Sequence, residues 1–131
     1  MNTFREITDE LAIAGQPTFD ELQQLAEAGY RSVVNLRSPD ETGFLDDEQQ
    51  KTEFWGLCYV NIPIQIKTLK PDDVSQVIQQ LMQLPKPILI HCDNGIRAST
   101  IVLVHLAIKQ GMGAEDAFQK VTNLGLLSDS Y

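Results

Sequence analysis

The sequence predicts one α/β domain, with a mostly parallel central sheet flanked by helices. Three observations predict it. Four short apolar or β-branched runs, Leu11–Ala14, Ser32–Leu36, Cys58–Ile62 and Pro87–His91, alternate with segments of helical period. At 131 residues the chain fits a single domain, 1–131, and leaves no room for two ordinary ones. Its 43% hydrophobic content is enough for a packed core, which excludes a disordered chain.

Each element has its own local cause. Leu11–Ala14 is the first strand. Thr18 with Glu21 then makes a capping-box signature, Leu22, Leu25 and Ala26 form an apolar stripe, and Gly29 stands where a helix stops. Ser32–Leu36 is a β-branched strand. The polar, acidic stretch Ser38–Glu53 is expected to be an exposed loop leading into a short helix. Cys58–Ile62 follows as a further buried strand. A helix starts near Pro71, with Asp72 and Asp73 favoured at its positive end, and Val74, Val77, Ile78, Leu81 and Met82 recur at its period. Pro87–His91 is the last strand. The segment from about Ile96 to Gln110 is apolar nearly all round, as a helix buried against several neighbours would be. A final helix covers roughly Ala114–Asn123, with Ala117, Phe118 and Val121 facing inward.

Charge and composition exclude several function classes. Ten basic residues against eighteen acidic ones give a net charge of −8, which repels polyanions. No nucleic acid and no anionic membrane is expected as a partner. No apolar run approaches the ~20 residues that span a bilayer, and the polar, acidic start is unlike a secretory signal. A cytoplasmic location is the expectation. Cys58 and Cys92 are too few for a disulfide framework or a zinc site, so no metal and no cofactor are expected. Cys58 reads as a small core residue, and His105 as a satisfied core or interface histidine.

One segment carries chemistry: Pro87-Ile-Leu-Ile-His91-Cys92-Asp93-Asn94-Gly95-Ile96-Arg97-Ala98-Ser99. It reads as strand, tight loop, buried helix. Cys92 falls at the carboxyl end of the strand, where an open crevice is expected and ligands of such sheets bind. Gly95 supplies the backbone freedom that the turn requires. Successive amides of Asp93, Asn94, Gly95 and Ile96, with the helix start behind them, form a concave anion site that also favours an ionised sulfur. Arg97 can fork two donors onto an oxyanion. His91 is expected to pack and hydrogen-bond behind the loop as a supporting residue.

At these residues the chain resembles the cysteine-dependent phosphatases of the dual-specificity and protein-tyrosine-phosphatase-like fold. It is similar to the bacterial phosphatase-like family attached to beta-lactamase-hydrolase-like proteins. The resemblance also rests on Ile7-Thr-Asp-Glu-Leu-Ala-Ile-Ala-Gly-Gln-Pro-Thr18, on Ala28-Gly-Tyr-Arg-Ser-Val-Val-Asn-Leu-Arg37, on Tyr59-Val-Asn-Ile-Pro-Ile64 and on the helix after Gly111-Met-Gly113. It implies a phosphoric monoester hydrolase with a phosphocysteine intermediate and no metal. Cys92 would attack phosphorus, while Arg97 and the amides of Asp93–Arg97 would hold the equatorial oxygens. The partner would be a small phosphorylated substrate or a phosphoprotein.

Three departures from that pattern bear on the chemistry. Only four residues, Asp93 to Ile96, separate Cys92 from Arg97, where phosphatases of this fold place five. The shorter spacing resembles the loop of rhodaneses, which carry sulfur as a cysteine persulfide. Ala98 stands where a hydroxyl residue usually follows the arginine, and Ser99, the supporting hydroxyl, comes one place late. The loop after Ile64 opens with Gln65 rather than an acid, and Asp72 and Asp73 are accounted for as helix-start residues. A rhodanese-like sulfurtransferase using a sulfur donor, and a non-catalytic oxyanion-binding module, therefore stand as alternatives.

Overall fold

A computed structural model of the chain describes residues 4–124. Its five strands are β1 (Arg5–Glu6), β2 (Leu11–Ala14), β3 (Ser32–Asn35), β4 (Cys58–Asn61) and β5 (Ile88–His91). They form one sheet in the order β1-β2-β5-β3-β4. β1 is antiparallel to β2, and the remaining pairs are parallel. The helices are α1 (Phe19–Glu27), α2 (Glu48–Phe54), α3 (Pro71–Gln83), α4 (Ile96–Lys109) and α5 (Ala114–Thr122), with a 3-10 turn at Ile66–Thr68. The expected strands and helices are thus present, within a residue or so at their ends. β1 and the 3-10 turn are additions, because two polar residues at a sheet edge and a three-residue turn leave no periodic signal.

Register explains where the chemistry sits. β5 lies in the middle of the sheet, and its last residue, His91, is level with Ala14 on one side and Asn35 on the other. Chain leaving β5 therefore emerges between the exits of β2 and β3. The Cys92 amide donates to Ala14 O at 3.3 Å, and the Leu36 amide donates to His91 O at 2.9 Å, which carries the ladder one step past the strands.

Alternation along β5 divides the core. Ile88, Ile90 and Cys92 belong to one cluster with Val77 and Leu81 of α3, Ile101 of α4 and Val121 of α5. Leu89 belongs to the other, with Leu22 and Leu25 of α1, Val33 and Leu57. With a side-chain period of two, His91 points toward the α1/α2 layer and Cys92 toward the α3/α4 layer.

Local causes hold where they can be read. The Glu21 amide donates to Thr18 Oγ1 at 3.1 Å, and the Thr18 amide donates to Glu21 Oε1 at 2.8 Å, completing the capping box. Gly29 follows the cap at φ +98, a left-handed conformation. Asp73 accepts the Lys70 amide at 3.0 Å, consistent with its reading as a helix-start residue. Two expectations are corrected. Cys58 is exposed rather than in the core, because β4 is an edge strand paired only with β3. Met82 is 64% exposed, since α3 already turns Val74, Val77, Ile78 and Leu81 inward and one helix face cannot bury a fifth.

Candidate active site

The loop from Cys92 to Arg97 makes the expected tight turn between β5 and α4, and it is closely packed. Gly95 has φ +91, the left-handed conformation that lets the chain reverse into α4. Its amide donates to Cys92 Sγ at 3.1 Å, so the sulfur lies on the concave side of the loop. Cys92 is fully buried, and the open crevice expected around it is not present. The sulfur sits beneath its own loop and packs within the cluster holding Ile90, Ala98 and Ile101.

Three loop amides, those of Asn94, Gly95 and Ile96, are occupied from within. The Asn94 amide donates to Asp93 Oδ1 at 2.8 Å, and the Ile96 amide donates to Asn94 Oδ1 at 3.1 Å. Ser99 Oγ donates to Gly95 O at 2.7 Å, a contact along its own helix that braces the turn. Ala98 is buried against the core.

Arg97 is buried and turned back over the loop. Its Nη1 donates to Glu41 Oε2 at 2.7 Å and to Ile64 O at 3.1 Å. Nη2 donates to Glu41 Oε1 at 2.9 Å and to Asp93 Oδ1 at 3.1 Å. The two Glu41 contacts form a bidentate pair of the kind an arginine makes with an oxyanion. The bond to Glu41 raises the Arg97 pKa; burial opposes this, and Asp93 adds to the rise. Conversely, Arg97 holds the Glu41 carboxyl at about 2, with burial acting against the shift and the Ser38 amide and Arg37 reinforcing it. Glu41 is therefore an anion at neutral pH and has no proton to donate. A cavity of about 310 Å³ opens beside this pair, lined by Glu41, Gln65, Ile66, Lys67, Asp93 and Arg97. A second, of about 360 Å³, shares Gln65 and extends along Ser38, Ile64 and Asp73.

Behind the loop lies a polar network that the sequence did not reveal. His91 Nε2 and Glu48 Oε2 are 2.6 Å apart, with both side chains fully buried. Gln16 Nε2 donates to Glu48 Oε1 at 2.8 Å, and Arg37 Nη1 donates to Gln16 Oε1 at 2.8 Å. Arg37 Nε in turn donates to Glu41 Oε1 at 3.2 Å. A chain of contacts thus runs from His91 to Arg97 around the carboxyl ends of β5, β2 and β3. Gln16 and Arg37 stand just past strand ends, a position that could have marked them. Glu41 and Glu48 were hidden in a stretch expected to be solvated. His91 does sit behind the loop as expected. His105 is half-buried, and burial first, then Lys109 and Lys86, lowers its pKa. Among the described residues no group of His, Cys, Asp and Glu could hold a metal ion.

A mixed, mostly parallel sheet whose central strand hands a cysteine, a glycine turn and an arginine to a buried helix defines a phosphatase-like fold related to the dual-specificity and protein-tyrosine phosphatases. The chain belongs to the family described as DSP-PTPase phosphatase fused to NAD+ Kinase, whose model matches residues 5–127. It is 34% identical over 97 residues to a beta-lactamase hydrolase-like protein of Xylella fastidiosa, covering 71% of this chain and 22% of the relative. A protein of the same description from Agrobacterium fabrum is 31% identical over 106 residues, covering 78% and 24%. The chain thus spans under a quarter of the length of these relatives. Among solved structures, a DUF442 protein of Shewanella putrefaciens superposes with a TM-score of 0.78 at 23% identity, covering 97% of this chain and 87% of the other. P. aeruginosa TpbA, solved as a Cys→Ser form with phosphotyrosine, gives 0.72 at 17% identity, covering 97% and 75%. Among the described residues no helix is long and apolar enough to cross a membrane.

Proposed function

We propose that this chain is a cysteine-dependent phosphatase acting on aryl phosphates, phosphotyrosine included, through a phosphocysteine on Cys92. The observation that carries the reading is the pairing of a sulfur held by a loop amide with a guanidinium that already grips a carboxylate in bidentate fashion. In the first step Sγ forms a bond to phosphorus as the aryloxide leaves with both electrons of the P–O bond. Water then attacks phosphorus, inorganic phosphate departs, and the thiolate is regenerated. Arg97 and the amides of Asp93, Asn94, Gly95 and Ile96 would stabilise the equatorial oxygens, so catalysis is mainly electrostatic.

Substrate binding in this reading is an exchange of partners. Phosphate oxygens take the Arg97 donors now held by Glu41, and the amides now held by the Asp93 and Asn94 side chains. Gln65 beside Arg97 has no proton to give, and Glu41 is held ionised. Leaving groups that need no proton are therefore favoured, since a missing general acid costs about 10²–10⁴ in rate with poor ones.

The test is hydrolysis of 4-nitrophenyl phosphate and phosphotyrosine by wild type and Cys92→Ser. The reading expects Cys92→Ser to lose turnover entirely, and equal rates would remove Cys92 from the mechanism. The short loop and the two carboxylates on Arg97 favour one second reading, a sulfurtransferase. Its sign would be one extra sulfur on Cys92 after exposure to thiosulfate, without phosphate release.

A further inference from the structure

Among the described residues Glu48 is the one carboxylate buried completely, and nothing in the proposed chemistry uses it. Burying a carboxylate is costly unless its oxygens are matched, and an apolar side chain of that size would often serve stability as well. Both oxygens are matched, and their partners share one property. Oε2 meets His91, the residue before Cys92. Oε1 accepts from Gln16, whose backbone amide donates to the carbonyl of Asp93, the residue after Cys92, at 3.2 Å.

We propose that Glu48 is a positioning residue that clamps Cys92 from both flanks, through His91 on one side and through Gln16 and Asp93 on the other. This deepens the proposed function and rests on Cys92 being its nucleophile. α2 supplies the clamp because His91 faces the α1/α2 layer while Cys92 faces the opposite one. The carboxylate thus fixes the direction of the sulfur without touching it. Through Arg37 on Gln16, the clamp is also tied to Glu41 and so to Arg97.

The experiment uses a Cys58→Ser background, because Cys58 is exposed and would consume reagent. Alkylation of Cys92 by iodoacetamide is followed by mass spectrometry in the full chain, beside kcat and KM for 4-nitrophenyl phosphate. Glu48→Met keeps the volume and removes both acceptors, while Glu48→Gln can still bond both partners once His91 changes tautomer. Misplacing a nucleophile by about 1 Å costs about 10²-fold. Folded Glu48→Met should therefore alkylate about ten- to a hundred-fold more slowly, with kcat falling alike and KM unchanged, and Glu48→Gln should recover most of the rate. The exposed Glu53→Gln on the same helix should match wild type. If Glu48→Met does not fold, Gln16→Ala cuts one flank alone and should slow alkylation several-fold. A folded Glu48→Met or Gln16→Ala alkylating at or above the wild-type rate, or Glu48→Gln no faster than Glu48→Met, would overturn the clamp. Cys92→Ser hydrolysing like wild type would instead sink the phosphatase reading, leaving the alkylation comparison to judge the clamp by itself.

Discussion

Glu41 occupies both guanidinium nitrogens through which Arg97 would meet a phosphate, and Asp93 takes a further share of one of them. One cation facing two carboxylates leaves little net attraction for a dianion, so removing a competitor should strengthen binding. Glu41→Gln is expected to bind inorganic phosphate several-fold more tightly by calorimetry at neutral pH; unchanged or weaker binding would contradict this. The same pair has a pH signature. Because the folded carboxyl lies at about 2 and its ordinary value is 4.5, the ion pair stabilises the fold fully above the ordinary value. That stability is lost as pH falls through about 2. The gap in thermal midpoint between wild type and Glu41→Gln should close over the same interval. At this scale the grouping of Cys92, Gly95 and Arg97 was legible because cysteine, turn and guanidinium stand within six positions. Glu41 and Glu48 were not, since nothing local distinguishes a carboxylate that folding will pair and cover from one that stays in water, and Gln16 and Arg37 were marked only by standing just past strand ends.

Helices and strands read well wherever a period or a cap exists. α1 shows both, and its capping box forms as the Thr18–Glu21 spacing implies. α4 runs apolar on most of its surface and packs against α3, α5 and the sheet. Misreadings arose where burial depends on neighbours far along the chain. β4 has the composition of an interior strand yet ends up at the sheet edge, and Met82 continues a helical stripe past the face that packs. Adjacent residues of α3 test this distinction. Leu81 is 2% exposed, so Leu81→Ala should cost about 2–5 kcal/mol in urea unfolding, the range for emptying a packed leucine site. Met82→Ala, one residue later, should change stability by less than about 0.5 kcal/mol. Equal costs would mean that α3 is rotated from the placement described.

For the molecule as a whole, a chain of net charge −8 surrounds a site that, in the proposed function, receives an anion. The fold answers this by gathering donors at one point, the carboxyl end of β5, where β2 and β3 also deliver Gln16 and Arg37. The α/β class was legible because alternation of strand and helix survives in one dimension, whereas the strand order that joins the His91–Glu48 and Arg97–Glu41 pairs does not. Everything functional converges on whether Cys92 becomes covalently phosphorylated. Rapid acid quench during turnover of 4-nitrophenyl phosphate, followed by peptide mass spectrometry, measures that directly. The account predicts one phosphoryl group on the peptide containing Cys92, absent from Cys92→Ser. Steady release of phosphate with that peptide unmodified, or a phosphoryl group on another residue, would contradict it.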